Sequence, residues 1–196
     1  GSDIKALDSV FDYIKKLPEK VKNPIRKNWE HYLVHLIETT RILLDISSGL
    51  TLEQVAIALL HDAIEDVEEV GINELTRLFW YNIASSVEKL SKKDILDYGL
   101  WEERYEELKR ERNIEYLESL KHLSNFELDV KFADRIHNLR TLAWLPIMFI
   151  ESYIEDTIKY FIPLAKLRNK KAYNLLISQL FTLRVYLVSL RANSKF

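Results

Sequence analysis

The chain of 196 residues contains no cysteine. Disulfides and thiolate metal ligands are therefore excluded, and any metal must be held by nitrogen and oxygen donors. Glycine and proline number only four each. So little turn punctuation argues against a many-stranded sheet and for long helices. One of the glycines counts for nothing here, because Gly1-Ser2 reads as a scar left by tag removal. Charge of either sign is also not in excess. The formal net charge is -2 and the pI about 6.3, which is no footprint for nucleic acid or an anionic membrane. An anion site would have to come from a few local lysines and arginines. No apolar run reads as long enough to span a bilayer, and no signal peptide is visible. The expectation is a cytoplasmic protein without membrane or nucleic-acid partners. What is present is hydrophobic content, at 47%, enough for a proper core.

The apolar residues recur at helical spacing along the chain. Ile4, Leu7, Val10, Phe11, Ile14 and Leu17 form one stripe, and Pro18 and Pro24 bracket a lysine-rich loop. A second helix is expected over 30–47, ended by Ser48-Gly49. Thr51 with Gln54 reads as a capping box opening a third. Asn73 is a plausible cap for "NELTRLFWYNIASSVEKLS", a segment expected to break near Trp80. Residues 91–101 are a polar connection, and 102–123 form a charge-dense helix whose wide polar face is a solvated surface. Ser124 or Asn125 caps "FELDVKFADRIHNLRTLAWL". Further helices are expected over 148–161 and 169–192. Without repeat, low-complexity stretch or linker, the chain reads as a single all-α domain covering 3–196.

The stretch "VAIALLHDAIEDV" departs from plain amphipathic patterning. It is apolar, then places His61, Asp62, Glu65 and Asp66 within two helical turns, then turns apolar again at Val67. On a continuous helix His61 would sit beside Glu65, and Asp62 beside Glu65 and Asp66. Three carboxylates on a segment fit for burial repel one another unless a cation holds them. Imidazole and carboxylate donors suit Mn, Fe or Zn. The bland alternative, an exposed N-terminal helix face, is weak because Val55–Leu60 leaves no polar side leading into the patch.

A second patch lies in "DVKFADRIHNLRTL". Asp134, Asn138 and Thr141 fall on one helical face, while Phe132, Ile136, Leu139 and Leu142 serve the core. Taken alone, Asp134 reads as a surface salt bridge to Arg135 or Lys131. His35 lies on an apolar stripe, where a lone histidine is usually a hydrogen-bonded core residue. His31 and His137 carry no motif of their own, and His122 is expected exposed.

Read in order, His35, His61-Asp62 and Asp134 spell H…HD…D, which resembles the HD superfamily of metal-dependent phosphohydrolases. Within it, "RKNWEHYLVH", "ALLHDAIED", "VEKLSK", "VKFADRIHNLRTL" and "YFIPLAKLRN" resemble, in family order, the motif blocks of the RelA/SpoT-homologue alarmone hydrolases. The resemblance implies an HD-type helical bundle and four metal ligands: His35, His61, Asp62 and Asp134. It implies that Glu65 and Asp66 work on the attacking water. It implies that Arg26, Lys27, Lys92, Asn138, Thr141 and Tyr160 meet the nucleotide. The implied cofactor is Mn2+ or another divalent metal. The implied reaction is removal of the 3'-pyrophosphate of guanosine tetra- or pentaphosphate, giving GDP and pyrophosphate from the former.

Five positions depart from the pattern. Trp29 and Trp80 stand where the family has glycine, His31 and Leu36 where it has proline, and Val67 where it has threonine. Trp29 and His31 fall beside the implied base pocket, so an adenosine alarmone, or NADPH with phosphatase chemistry, stays open as the substrate. A non-catalytic nucleotide sensor is the alternative from another class; retention of every implied ligand favours the enzyme. The resemblance stops where the large bifunctional members continue into a synthetase domain, and the expectation is a small, hydrolase-only member. Some such members act as antitoxins, which makes a cognate toxic alarmone synthetase a conceivable partner.

Overall fold

The lysine-rich loop and the stop at Ser48-Gly49 mark where the chain changes neighbourhood. Residues 1–24 and 49–128 cluster as one unit, and 25–48 and 129–196 as a second. The computed structural model describes residues 2–21, 24–26, 30–67, 69–93 and 104–193. Among these there is no strand; the one β-bridge joins Ile25 to His31. The all-α expectation holds.

In the first unit, α1 (Ser2–Ile14) and a 3-10 turn (Leu17–Glu19) bury Val10, Ile14 and Leu17. They pack on α3 (Leu52–Leu60), which in turn meets α5 (Ile72–Leu90). The expected capping box is present at α3: Thr51 accepts from the Gln54 N–H, and Gln54 accepts from the Thr51 N–H. Residues Ala56 to Leu60 are all buried, so α3 is an interior helix. By contrast α6 (Tyr105–Ser119) buries only Leu108 and Leu117, as its charge density implies. The cap of α5 differs from expectation. It is Gly71, in an extended conformation, and not Asn73.

In the second unit, α2 (Tyr32–Ile46) buries Leu36, Ile42, Leu43 and Ile46. Helix α7 (Asn125–Thr141), whose first residues belong to the first unit, opens on the expected serine. Ser124 and Glu127 exchange side-chain-to-backbone hydrogen bonds of 3.2 and 2.9 Å. The part of α7 from 129 onward buries Val130, Phe132, Ala133, Ile136 and Leu139. Then follow α8 (Ile147–Asp156), a π-turn (Thr157–Phe161), α9 (Ile162–Arg168) and α10 (Lys170–Asn193). Asp129 ties these elements together: it accepts from Ser47 at 2.6 Å and from Asn169 at 2.7 Å. Asn169 in turn accepts from the Ala172 N–H at 3.0 Å and so caps α10.

Helix α10 corrects one expectation. Over Lys170–Ala192 it is long and apolar enough to cross a membrane by length and composition, with a mean hydropathy of 1.3. Its Ala172, Leu176, Leu180, Leu183 and Leu187 stripe is buried in protein, while Ile177, Phe181, Val185 and Val188 on the other face are exposed. One such helix is weak evidence and does not indicate a membrane protein.

The expected break in α5 is real. Phe79 leaves the helical region (φ -134, ψ 16), and Trp80 has φ 69 and ψ 157. That combination belongs to glycine, the residue the family resemblance places there, and holding another side chain in it costs of order 1–3 kcal/mol. Trp80 is 66% exposed, so little burial is lost by removing it. Replacing Trp80 with Gly should relieve the strain at an entropic cost of ~0.5–1 kcal/mol. The net gain should be about 1 kcal/mol, raising the thermal midpoint by ~2–4 °C. A midpoint that stays or falls would show that the backbone is not strained there.

Candidate functional site

The first unit supplies His61 and Asp62, and here the structure differs from the continuous helix that the spacing suggested. Helix α3 stops at Leu60, His61 and Asp62 form a turn, and α4 (Ala63–Asp66) starts anew. The cause is local. The His61 N–H reaches back only three residues, to the Ala58 carbonyl at 3.5 Å, and Asp62 leaves the helical region at φ -104, ψ 1. The His61 ring is fully buried, with Nδ1 2.8 Å from the same carbonyl. A carbonyl oxygen only accepts, so Nδ1 carries the ring proton and Nε2 presents a lone pair. That nitrogen lies 3.2 Å from Asp62 Oδ1. A lone pair facing a carboxylate in a buried setting is a donor set that fits a cation.

One turn on, Glu65 and Asp66 are exposed. The Glu65 carboxylate accepts the Lys92 N–H at 3.2 Å and lies 3.9 Å from the Lys92 ammonium. That ammonium sits 5.0 Å from the Tyr116 ring centroid. The predicted water-handling carboxylate and the predicted phosphate-side lysine are thus neighbours. Val67, which replaces the family's threonine, is buried.

The second unit supplies His35 and Asp134. His35 is fully buried on α2, and its Nε2 lies 3.4 Å from Asp134 Oδ1. The plain salt-bridge reading of Asp134 holds in part, since Lys131, itself buried, lies 3.9 Å from the other carboxylate oxygen. Arg135 is used otherwise, sandwiched between the Tyr153 and Phe161 rings at 3.9 and 4.0 Å from their centroids. One turn along α7, Asn138 donates to Asp134 Oδ1 at 2.6 Å and accepts from the Arg26 guanidinium at 2.8 Å. Arg26, Asn138 and Asp134 therefore form one hydrogen-bonded chain. The Thr141 hydroxyl donates to backbone carbonyls of α7 at 3.1 and 3.3 Å.

Tyr160 lies in the π-turn with the Lys159 ammonium 4.7 Å from its ring centroid. The tyrosine bonded to Asn138 is Tyr153, whose hydroxyl pKa burial pushes up. Lys27 and Trp29 lie outside the described residues. His31 caps α2, its Nδ1 accepting from the Leu33 N–H at 3.2 Å, and His122 is exposed as expected.

Sequence reasoning passed over two further residues. His137 is buried, with its Nδ1 2.9 Å from His35 Nδ1 and its Nε2 3.3 Å from Glu30 Oε1. The i, i+3 spacing from Asp134 to His137 was a usable signal, since it places both on one face of α7. Nothing comparable marked Glu30, which precedes the helix. Burial lowers the His137 pKa from the usual 6.5 to about 4.

An all-helical chain whose two units each present a histidine against an aspartate, in the order H…HD…D, has the features of a metal-dependent HD protein. The HD domain family profile matches residues 12–168, and the chain belongs to that family. It is 30% identical over 169 residues to the chloroplastic GTP diphosphokinase homologue RSH1 of Oryza sativa subsp. japonica, covering 82% of this chain and 18% of that relative. It is 29% identical over 140 residues to a GTP pyrophosphokinase of Streptomyces coelicolor, covering 71% of this chain and 15% of that relative. The chain thus spans less than a fifth of the length of these curated relatives. Among solved structures it resembles a metazoan ortholog of SpoT, described as hydrolyzing ppGpp and playing a role in starvation responses. The TM-score is 0.71 at 20% identity, with 90% of this chain and 95% of that one covered. The expected HD fold and the RelA/SpoT kinship both hold.

The His137 shift has a consequence for stability. Between pH 6.5 and about 4 the unfolded chain binds a proton at this residue that the folded chain refuses. Its contribution to stability is therefore complete above pH 6.5 and is lost as pH falls toward 4. Urea unfolding of metal-free protein across this window should show a steeper loss for the wild type than for His137→Asn. Parallel curves would remove His137 as the source.

Proposed function

We propose that this chain is a divalent-metal-dependent pyrophosphohydrolase of guanosine 3'-pyrophosphate alarmones, with His35, His61, Asp62 and Asp134 as the ligands of one cation. The observation that carries the reading is the pair of buried imidazoles, each with Nε2 within 3.4 Å of an aspartate oxygen. Two imidazoles and two carboxylates suit Mn2+, the metal proposed here. When bound, such a cation supplies an acidified water and charge stabilisation on the phosphoryl group.

The rest falls to the chain's own residues. Glu65 takes the proton of the attacking water, being an exposed carboxylate one turn past Asp62. Oxygen attacks the 3'-phosphorus, the bond to the ribose O3' breaks, and O3' gains a proton as pyrophosphate leaves. Lys92, next to Glu65, balances charge on the pyrophosphate. Arg26, Asn138 and Tyr153 hold the nucleoside. Kinship with GTP diphosphokinases and the structural likeness to a ppGpp-hydrolysing protein support the substrate.

Purified protein with Mn2+ and guanosine tetraphosphate should release pyrophosphate and GDP, faster than it acts on the adenosine analogue or NADPH. Release of single phosphates would overturn the pyrophosphohydrolase assignment, and a preference for NADPH would overturn the substrate. No turnover of any of them, with binding retained, would point to a sensor.

Two variants divide the roles. Glu65→Gln keeps an acceptor for the Lys92 N–H and should keep Mn2+ affinity while losing roughly 10²-fold or more in turnover. Asp62→Ala should lose metal and turnover together. Loss of Mn2+ from Glu65→Gln at unchanged intrinsic rate would make Glu65 a ligand.

A further inference from the structure

Glu30, His137 and His35 stand in a row within the second unit, and the donors at each step can be assigned from what their neighbours permit. The two Nδ1 atoms of His35 and His137 are 2.9 Å apart. That separation fits one shared proton. It is the length of one N–H···N hydrogen bond, and shorter than the roughly 3.3 Å between two nitrogens on a tetrahedral zinc. The group Glu30, His35 and His137, although its atoms lie close enough to hold an ion, is read on that length as a hydrogen-bonded chain.

The shared proton sits on one ring or the other. If it is on His137, that ring's Nε2 is a bare lone pair 3.3 Å from the Glu30 carboxylate, and two acceptors face each other in a buried place. His35 would then carry its own proton on Nε2, the atom that faces Asp134, and could not bind a metal there. If it is on His35, every contact along the row is satisfied, and the one acceptor pair left, His35 Nε2 against Asp134, is the pair that a cation would bridge. His137 Nε2–H donates to Glu30, His35 Nδ1–H donates to His137, and His35 Nε2 is left as a lone pair toward Asp134.

We propose that Glu30 and His137 form a tautomer-selecting relay that presents His35 Nε2 as a metal-ready lone pair. They act as positioning residues and do not touch metal or substrate. Glu30 supplies the selection, since a carboxylate accepts but does not donate. This relay deepens the functional reading above and rests on His35 being a ligand. It gives His35 what the Ala58 carbonyl gives His61: a fixed partner for Nδ1. Partners of this kind are generally worth about 10–100-fold in metal affinity.

The test uses the full chain and the metal alone. Mn2+ titrations, followed by the spectroscopic signal of free Mn2+, compare wild type, Glu30→Gln and Glu30→Ala. Gln keeps the shape and can accept, but it can equally donate, so it no longer selects a tautomer. Affinity should fall in the order wild type, Gln, Ala, with the last about 10–100-fold down. In zinc-loaded wild type, ring nitrogen NMR should place the His137 proton on Nε2 and the His35 proton on Nδ1. A His137 proton found on Nδ1, or Glu30→Gln binding Mn2+ as tightly as wild type, would overturn the relay, even if Ala simply destabilises the chain. Wild type that binds neither metal would instead overturn the reading of His35 as a ligand, and the relay with it. Alarmone turnover does not enter these measurements, so a wrong substrate leaves the relay standing.

Discussion

A neutral imidazole has two nitrogens and one proton, so whatever accepts that proton decides what the other nitrogen can do. This constraint governs both halves of the candidate site. At His61 the proton goes to the Ala58 carbonyl, and the helix ends there because the chain has tightened to reach it. At His35 it goes to another imidazole, which Glu30 holds in turn. In both cases Nε2 is directed at an aspartate. Buried acceptor pairs of this sort are unfavourable in an empty protein, and the fold tolerates them where a cation offsets the repulsion.

Helix α7 shows how one segment can serve the core and the site together. Phe132, Ala133, Ile136 and Leu139 are buried among apolar neighbours. On the same helix Asp134, His137 and Asn138 each have a separate polar partner: His35, Glu30 and Arg26. Arg135 and Lys131, both buried cations, are spent on aromatic rings and on Asp134. The buried charged residues of this helix thus each have a local partner, and Arg140 is exposed. That is the condition under which a charge-rich sequence can be buried at all.

The departures from the family pattern sort by what their positions demand. Val67 is buried, so an apolar side chain in place of threonine suits its setting. His31 replaces proline and still starts α2, because its ring nitrogen accepts the Leu33 N–H. Trp80 is different in kind. It occupies a backbone conformation that suits glycine and exposes most of its surface, so it is held by the continuity of α5 on either side and not by its own contacts.

Sequence alone determined the helical class, the caps at Thr51 and Ser124, the break near Trp80 and the H…HD…D order. Each of these is written in short-range spacing: periodicity, capping pairs and adjacent motif residues. That Asp134 and Asn138 share a face followed from helical spacing, whereas the bond from Arg26 to Asn138 did not. Tertiary structure alone decided the rest. It brought Tyr153 to Asn138, and set Glu30 and His35 on either side of His137. His35 and His137 are 102 residues apart in sequence, and Glu30 lies outside any helix. No periodic signal spans such a gap, because contacts across it are fixed by how helices pack in three dimensions and not by the angle between successive side chains.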